Sequence, residues 1–507
     1  MKTRVLPLAA AVAMSCAAGF AQAVSVNNEG LGEVLLFPYY SAASGNDTLI
    51  NIVNTTDYVK AVKVRFVEGM NSKEVLDFNL YLSPQDHWSG VVTSTSDGAK
   101  IVTGDTSCTV PAIPAGGQPF TNALYLKDSV NDLARTREGY VEVIEMGVVY
   151  DWDESDTTPE PGDQLASDAT HINGVPRDCS ALTAAWSANG VWLDDPTFSM
   201  SSNMGGLYGY GVLINVNEGT DGSYDAIALQ AFEDPISKKP LHAAPGDSSP
   251  ALGDAIAEAT VIDNVSGVVT VVETFTATGL DAVSAVLMHD TISNDYVLEP
   301  TILAGTDWVI TMPTKHDYVN RGRFLTGTKD LVPAWQPFTD AWDETVSKSC
   351  EQIGITYYDR EEAGQTPSGV DFSPRPPEGK FSLCAEANVL TFNNSDVLGA
   401  KASGGNLSTN LDVIFDNGWM RIDLDASGSG LEDLRDTVDE DGDDVLNQAT
   451  RVIEGFGAGF EGLPVIGFAI QKYVNGTLTV GGTSVLSNYA GIVTHKTTRD
   501  ITIDSEL

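Results

Sequence analysis

The chain has 507 residues, 70 acidic against 28 basic side chains, a formal net charge of −42 and 42% hydrophobic residues. So strong a negative charge repels nucleic-acid phosphates and anionic lipid surfaces, which excludes both as partners. The apolar fraction suffices for a packed core, which excludes a disordered acidic tail, and the length suggests two or three domains.

In chain order, the first element is an export signal. Lys2 and Arg4 form a basic start, residues 5–20 are apolar, and Ala21-Gln22-Ala23 supplies the small-x-small pattern that a signal peptidase cleaves. Residues 1–23 are therefore read as a signal peptide, with a mature chain beginning near Val24. Cys16 follows Ala13-Met14-Ser15, without the Leu three positions ahead that marks a lipidation site, so plain cleavage is expected. Loss of Lys2 and Arg4 leaves 26 bases against 70 acids, a net charge of −44. No later stretch reaches the roughly 20 apolar residues of a membrane-spanning helix. The regular alternating segments of about ten residues that a membrane barrel requires are not found either.

Residues 48–54 read as a strand that ends in the turn residues Asn54-Thr55-Thr56-Asp57. Residues 61–67 alternate apolar with charged, Val62, Val64 and Phe66 against Lys63 and Arg65, the period of a half-buried strand. Gly69-Met70-Asn71-Ser72 turns the chain, Leu76, Phe78, Leu80 and Leu82 mark the returning strand, and a third strand covers residues 88–93. Short strands with turn signals at this spacing predict an antiparallel sandwich, immunoglobulin-like in architecture. Further strands are expected at residues 139–149, 208–216 and 225–232. The glycine-rich run 205–211 lacks the GxGxxG register and opens no helix, so it reads as a turn and strand rather than a nucleotide loop.

Pro235, Pro240, Pro245 and Pro250 punctuate residues 235–259, the expected linker between an N-terminal β-rich domain (24–234) and a C-terminal β-rich region (260–507). Strands are expected at residues 267–272 and 282–288. Residues 303–310 echo residues 82–88, a strand and turn followed by Asp and Trp, as a duplicated sandwich would show. Val445, Leu446, Ala449, Val452 and Ile453 form a short helical stripe. Trp88, Trp308 and Trp419 enter strands, where packing in the core is the default. The fold class is thus mainly β, antiparallel immunoglobulin-like sandwich domains with a few short helices.

Setting Cys16 aside, Cys108, Cys179, Cys350 and Cys384 remain, an even count that favours disulfides in an exported chain. Of three pairings, the local one, Cys108–Cys179 with Cys350–Cys384, is preferred; no Cys-x-x-Cys spacing supports zinc. Asp439, Asp441, Asp443 and Asp444 lie in one short acidic run that suits a hard cation such as Ca2+. It is not an EF-hand loop, because Asp444 stands where Gly is required and Thr450 where the bidentate Glu belongs. The competing reading is an acidic turn that caps a helix. Asp151, Asp153 and Asp156 form a second acidic run before Pro159 and Pro161, where a solvated loop competes with a metal site.

Gly246-Asp247-Ser248-Ser249-Pro250 has the serine surroundings of a trypsin-like protease without the following Gly-Gly or an upstream Ala-Ala-His-Cys. The six histidines stand singly, and neither a Gly-x-Ser-x-Gly elbow nor His-Glu-x-x-His is present. No catalytic residue is therefore assigned. A glycosidase that uses two distant carboxylates leaves no local mark, which keeps a secreted glycan-binding or glycan-degrading protein as the alternative.

Residues 32–40 (GEVLLFPYY), 75–84 (VLDFNLYLSP), 306–315 (TDWVITMPTK) and 462–468 (GLPVIGF) resemble an S-layer-type family of abundant surface proteins from marine gram-negative bacteria. The resemblance implies a non-catalytic protein of the cell surface that tiles it as a lattice of copies of itself, typically with divalent cations. Outer-membrane lipopolysaccharide is then the expected anchoring partner.

Overall fold

The computed structural model describes residues 23–151, 162–233, 239–263, 269–275, 279–320, 336–365, 372–373, 381–402, 407–425 and 451–503. Within them the chain is mainly β, with a few short helices, and its strands pair antiparallel except for Ala387–Phe392 with Ser408–Leu411. The N-terminal strands that matter here are β1 (Val34–Ser41), β2 (Asn46–Asn54), β3 (Val59–Glu68), β4 (Glu74–Leu82), β5 (His87–Ser94), β6 (Glu138–Val149), β7 (Leu207–Asn215) and β8 (Thr220–Asp225). They form two sheets, one containing β1-β6-β3-β4 in that order, the other β8-β7-β2-β5. Phe66 of β3 and Phe78 of β4 lie 6.5 Å apart, and Phe78 meets Trp88 of β5 at 5.7 Å, so aromatic side chains fill the space between the sheets.

The expected strands at residues 48–54, 61–67, 76–82, 88–93, 139–149 and 208–216 all coincide with observed ones. Two details differ. Residues 225–232 are not one strand: β8 ends at Asp225 in the second sheet, and Ile227–Gln230 pairs with β1 in the first. The chain bends at Ala226 and changes sheets, which a run of mostly apolar residues does not reveal.

β3 is the other difference. Expected half-buried, it is buried along its whole length except at Arg65. Val64 and Phe66 face the second sheet, as the alternation requires. The Lys63 side is covered by the proline-punctuated segment: Lys63 Nζ donates to the carbonyls of Ala244 (3.0 Å) and Asp247 (3.2 Å), and Asn79 Nδ2 donates to that of Ala243 (2.9 Å).

The C-terminal strands are β9 (Thr291–Val297), β10 (Gly305–Thr311), β11 (Glu351–Asp359), β12 (Ala387–Phe392), β13 (Asn417–Asp423), β14 (Ile466–Tyr473), β15 (Thr477–Val480), β16 (Thr483–Leu486) and β17 (Tyr489–Thr494). One sheet runs β11-β13-β9 and another β12-β10-β14-β17. Tyr296 of β9 stacks on Phe392 of β12 at 5.1 Å, and Trp308 of β10 meets the same ring edge-on at 5.7 Å. The two halves share one continuous apolar cluster. Tyr224 of β8 stacks on Phe468 of β14 at 4.9 Å, Thr311 Oγ1 donates to the Pro38 carbonyl (2.6 Å), and the Gly69 carbonyl accepts from the Ala387 amide (2.8 Å).

Two helices bear on the argument, α1 (Cys179–Ala185) and α2 (Gly279–Leu287). Residues 282–288, expected as a strand, lie almost wholly in α2, with only Met288 in the short strand that follows. A short apolar run does not distinguish a buried strand from a buried helix, and here nearly every side chain from Gly279 to Leu287 is buried except Asp281. The helix ends against Arg499, whose guanidinium donates to the carbonyls of Val286 (2.7 Å) and Met288 (2.5 Å), groups that a helix end otherwise leaves unsatisfied. Val452 and Ile453, read as the end of a helical stripe, belong to strand Val452–Glu454. Val445, Leu446 and Ala449 lie outside the described residues.

Both disulfides follow the local pairing. Cys108–Cys179 (S–S 1.99 Å) ties a strand of the first sheet to α1, and Cys350–Cys384 (S–S 2.09 Å) closes a loop within the C-terminal half. The first staples a second, smaller core in which Tyr81 stacks on Trp192 at 5.2 Å and accepts a hydrogen bond from Trp186 Nε1 at 2.8 Å.

Candidate functional site

Adjacent strands β4, β3 and β6 place opposite charges side by side. Arg65 on β3 reaches Glu74 of β4 (Nε to Oε2, 3.1 Å) and Glu142 of β6 (Nη1 to Oε2, 2.8 Å). Lys63 pairs with Asp77 of β4 at 2.9 Å, and the fully buried Lys60 with Glu145 of β6 at 2.5 Å. Arg65, Glu74, Asp77 and Glu142 line a cleft of about 1210 Å³ whose walls include residues 244–249 and 251–254 and, from the C-terminal half, Pro313, His316 and Asp317.

This cleft is the strongest candidate site, because buried ionisable groups gather in a concave surface. Burial pushes the carboxyls of Glu74 and Glu142 up, while Arg65 opposes it in both. A two-carboxylate hydrolase needs one acid that gives its proton to the substrate and one that attacks or activates water. Here both carboxylates hold the same guanidinium, an arrangement that joins three strands. Ser248, singled out in the sequence, lines this cleft, and His316 Nδ1 lies 3.2 Å from Asn71 Oδ1.

Behind the cleft a polar seam joins the two halves. Glu386, just before β12, accepts from Ser72 Oγ (3.2 Å) and from the His316 amide (3.1 Å), and its Oε1 finds no partner among the described residues. Burial pushes its carboxyl up to about 8, so it is largely protonated at neutral pH. Tyr140 donates to the Pro313 carbonyl at 3.0 Å. Nearby, Arg135 forks onto Glu68 (2.6 and 2.8 Å), reaches Asp128 at 2.7 Å and lies 4.2 Å from the centre of the Tyr125 ring. Glu68 also accepts the amides of Met70, Asn71 and Lys73, so its carboxylate organises the 69–72 turn that meets β12. Sequence reasoning missed Arg135 and Glu386, since neither belongs to a motif and their partners are remote in the chain.

The acidic runs fare differently. Asp151 accepts from the Ser167 amide (3.0 Å) and hydroxyl (2.5 Å), holding the helix that follows. Asp153, Asp156, Asp439, Asp441, Asp443 and Asp444 lie outside the described residues. Among the described residues, no group of three or more His, Cys, Asp or Glu could hold a metal ion, and no helix is long and apolar enough to cross a membrane. His242 sits in the Tyr81–Trp192 core and His495 Nε2 donates to the Val309 carbonyl (2.9 Å); burial lowers both to about 4, leaving them neutral.

Trp88 and Trp308 are fully buried, as expected, but Trp419 is not. It is 43% exposed on β13 and stacks at 4.6 Å on Tyr358 of β11. Alternation places it opposite the buried Met420, on the face turned away from the core. Asp295 of β9 stands beside it in register.

No family model matches the chain, and neither does any curated protein or any solved structure.

Proposed function

We propose that the chain is an exported, non-catalytic structural protein of a gram-negative cell surface, whose copies assemble into an S-layer-like lattice bridged by divalent cations, Ca2+ foremost. The observation that carries this reading is the junction of the halves. One apolar core and a seam of buried polar contacts run through both, so the molecule forms a single tile rather than hinged modules. The expenditure of Glu74 and Glu142 on Arg65 supports a structural role for the ionic cluster of the cleft. The net charge of −44 supplies carboxylates for cation bridging, and each half resembles an immunoglobulin-like sandwich in having two antiparallel sheets across an aromatic core. Lipopolysaccharide, whose phosphates could share the same cations, is the anchoring partner this reading implies.

Negative-stain microscopy and sedimentation of the purified mature chain test it. Ordered sheets should appear on adding calcium and disperse with a chelator; a chain that stays monomeric at millimolar calcium sinks the reading. The exposed Trp419, stacked on the half-buried Tyr358 beside Asp295, favours a second reading, a glycan-binding protein, because an exposed aromatic ring next to a carboxylate suits sugar rings. Retardation of the chain in polysaccharide-containing gels, lost in Trp419→Ala, would support that alternative.

A further inference from the structure

Residues 473–494 contain no Asp, Glu, Lys or Arg, in a chain that is 19% charged, where such a stretch would average about four. Their centre is a two-stranded hairpin. Among the described residues β15 and β16 pair only with each other, through a Gly481-Gly482 loop with φ of 58° and 84°, the left-handed geometry a tight two-residue hairpin turn requires. Every residue from 475 to 486 is exposed. Register and alternation put Leu478, Val480, Thr483 and Val485 on one face and Thr477, Thr479, Ser484 and Leu486 on the other. The first face is apolar and open to water: Leu478, Val480 and Val485 are 58%, 62% and 41% exposed.

An isolated two-stranded hairpin is marginal in water, and this one is held at its base. The Ser487 amide donates to the Gly476 carbonyl (2.8 Å), and Asn488 Nδ2 donates to the Glu218 carbonyl (2.7 Å). Leu486 packs on Gly219, where an added side chain would come within 2.9 Å of it. The turn that carries Gly219 also carries Val216, 74% exposed, at the end of a second uncharged run, residues 196–217. The hairpin of one half thus meets the Glu218–Gly219 turn of the other, and Glu218 pairs with Lys472 (2.8 Å) at the foot of the apolar patch.

We propose that this hairpin is the surface through which one copy of the chain contacts a second copy. The inference rests on the lattice reading and names where its direct protein–protein contact lies. The argument for a second copy is electrostatic. Two molecules at −44 repel wherever their acidic surfaces approach, and they meet without that penalty only through uncharged surface or through bridging cations. The hairpin supplies such a surface, projecting and apolar, and leaves cation bridging to the acidic remainder.

The test compares the full mature chain with Leu478→Asp/Val485→Asp and, on the opposite face, Thr479→Asp/Ser484→Asp, by sedimentation velocity over a concentration series with and without calcium. Placing like charges in the contact should weaken self-association of the first variant roughly 100-fold or more. The second variant should assemble to within about threefold of the parent. Circular dichroism melts of both should match the parent, because these side chains touch little of the core. Parent assembly that survives Leu478→Asp/Val485→Asp overturns the hairpin assignment and leaves the lattice reading standing. A parent chain that never assembles overturns both, and equal loss in both variants overturns the assignment of the contact to the apolar face.

Discussion

Strand β3 and the β15–β16 hairpin invert the usual distribution of charge. β3 carries Lys60, Lys63 and Arg65 and is buried on both faces, whereas the hairpin carries no charge and is exposed on both. The buried charges persist because each has a carboxylate within 3.1 Å and, for Lys63, main-chain acceptors as well. The exposed hairpin persists because hydrogen bonds and one leucine anchor its base. Alternation along a strand states which side chains share a face. It does not state what that face meets.

If this contrast is right, damage to the buried ionic network should be severe and damage to the hairpin mild. Arg135→Ala would leave Glu68 and Asp128 without their cation in the interior, at a cost of about 3–5 kcal/mol. The urea midpoint should fall accordingly; a shift equivalent to less than about 1 kcal/mol would mean that water reaches the seam and that the contrast is overstated.

Removing Cys108–Cys179 by a double Ser substitution should cost about 2–4 kcal/mol, since the bridge closes a loop with a sequence separation of 71. Loss of near-ultraviolet dichroism from Trp186 and Trp192 should accompany it, because that bridge secures the small core around them.

Glu386 sharpens the comparison through pH. Its folded-state value, about 8, lies above the ordinary 4.5, so its contribution to stability is complete below about 4.5 and is lost as pH rises through about 8. The melting temperature of the parent should therefore fall over that window through this group, and Glu386→Gln should flatten the fall. An identical pH profile in the variant would show the carboxyl to be solvated. The smallest effect belongs to the hairpin: Leu478→Ser should change stability by no more than about 0.5 kcal/mol in a thermal melt, since the side chain is already in water.

Much of the candidate site was legible as pieces. Lys63, Arg65 and Asp77 stand in strands whose positions follow from residues 61–67 and 76–82, and their shared face follows from the period of two; Glu74, ahead of the expected strand and an odd number of residues from Asp77, reaches Arg65 because the pairing shifts register between Phe66 and Val67. Their assembly was not legible, because β6 inserts between β1 and β3 from more than 70 residues downstream and brings Glu142 with it. Trp419 shows the same limit: the strand was expected, but only its neighbours decide that the ring points to solvent. The hairpin did carry a signal, the missing charge and the Gly481-Gly482 pair, which periodicity alone passes over.

By itself the sequence determined the β-rich class, the positions of most N-terminal strands and the preferred disulfide pairing, because these depend on local alternation, turn chemistry and proximity along the chain. Only the tertiary structure decided that residues 279–287 coil into a helix, that residues 239–254 cover the charged face of β3, and that both halves share one core. Those outcomes depend on what each surface finds to bury itself against, and that partner is distant in sequence.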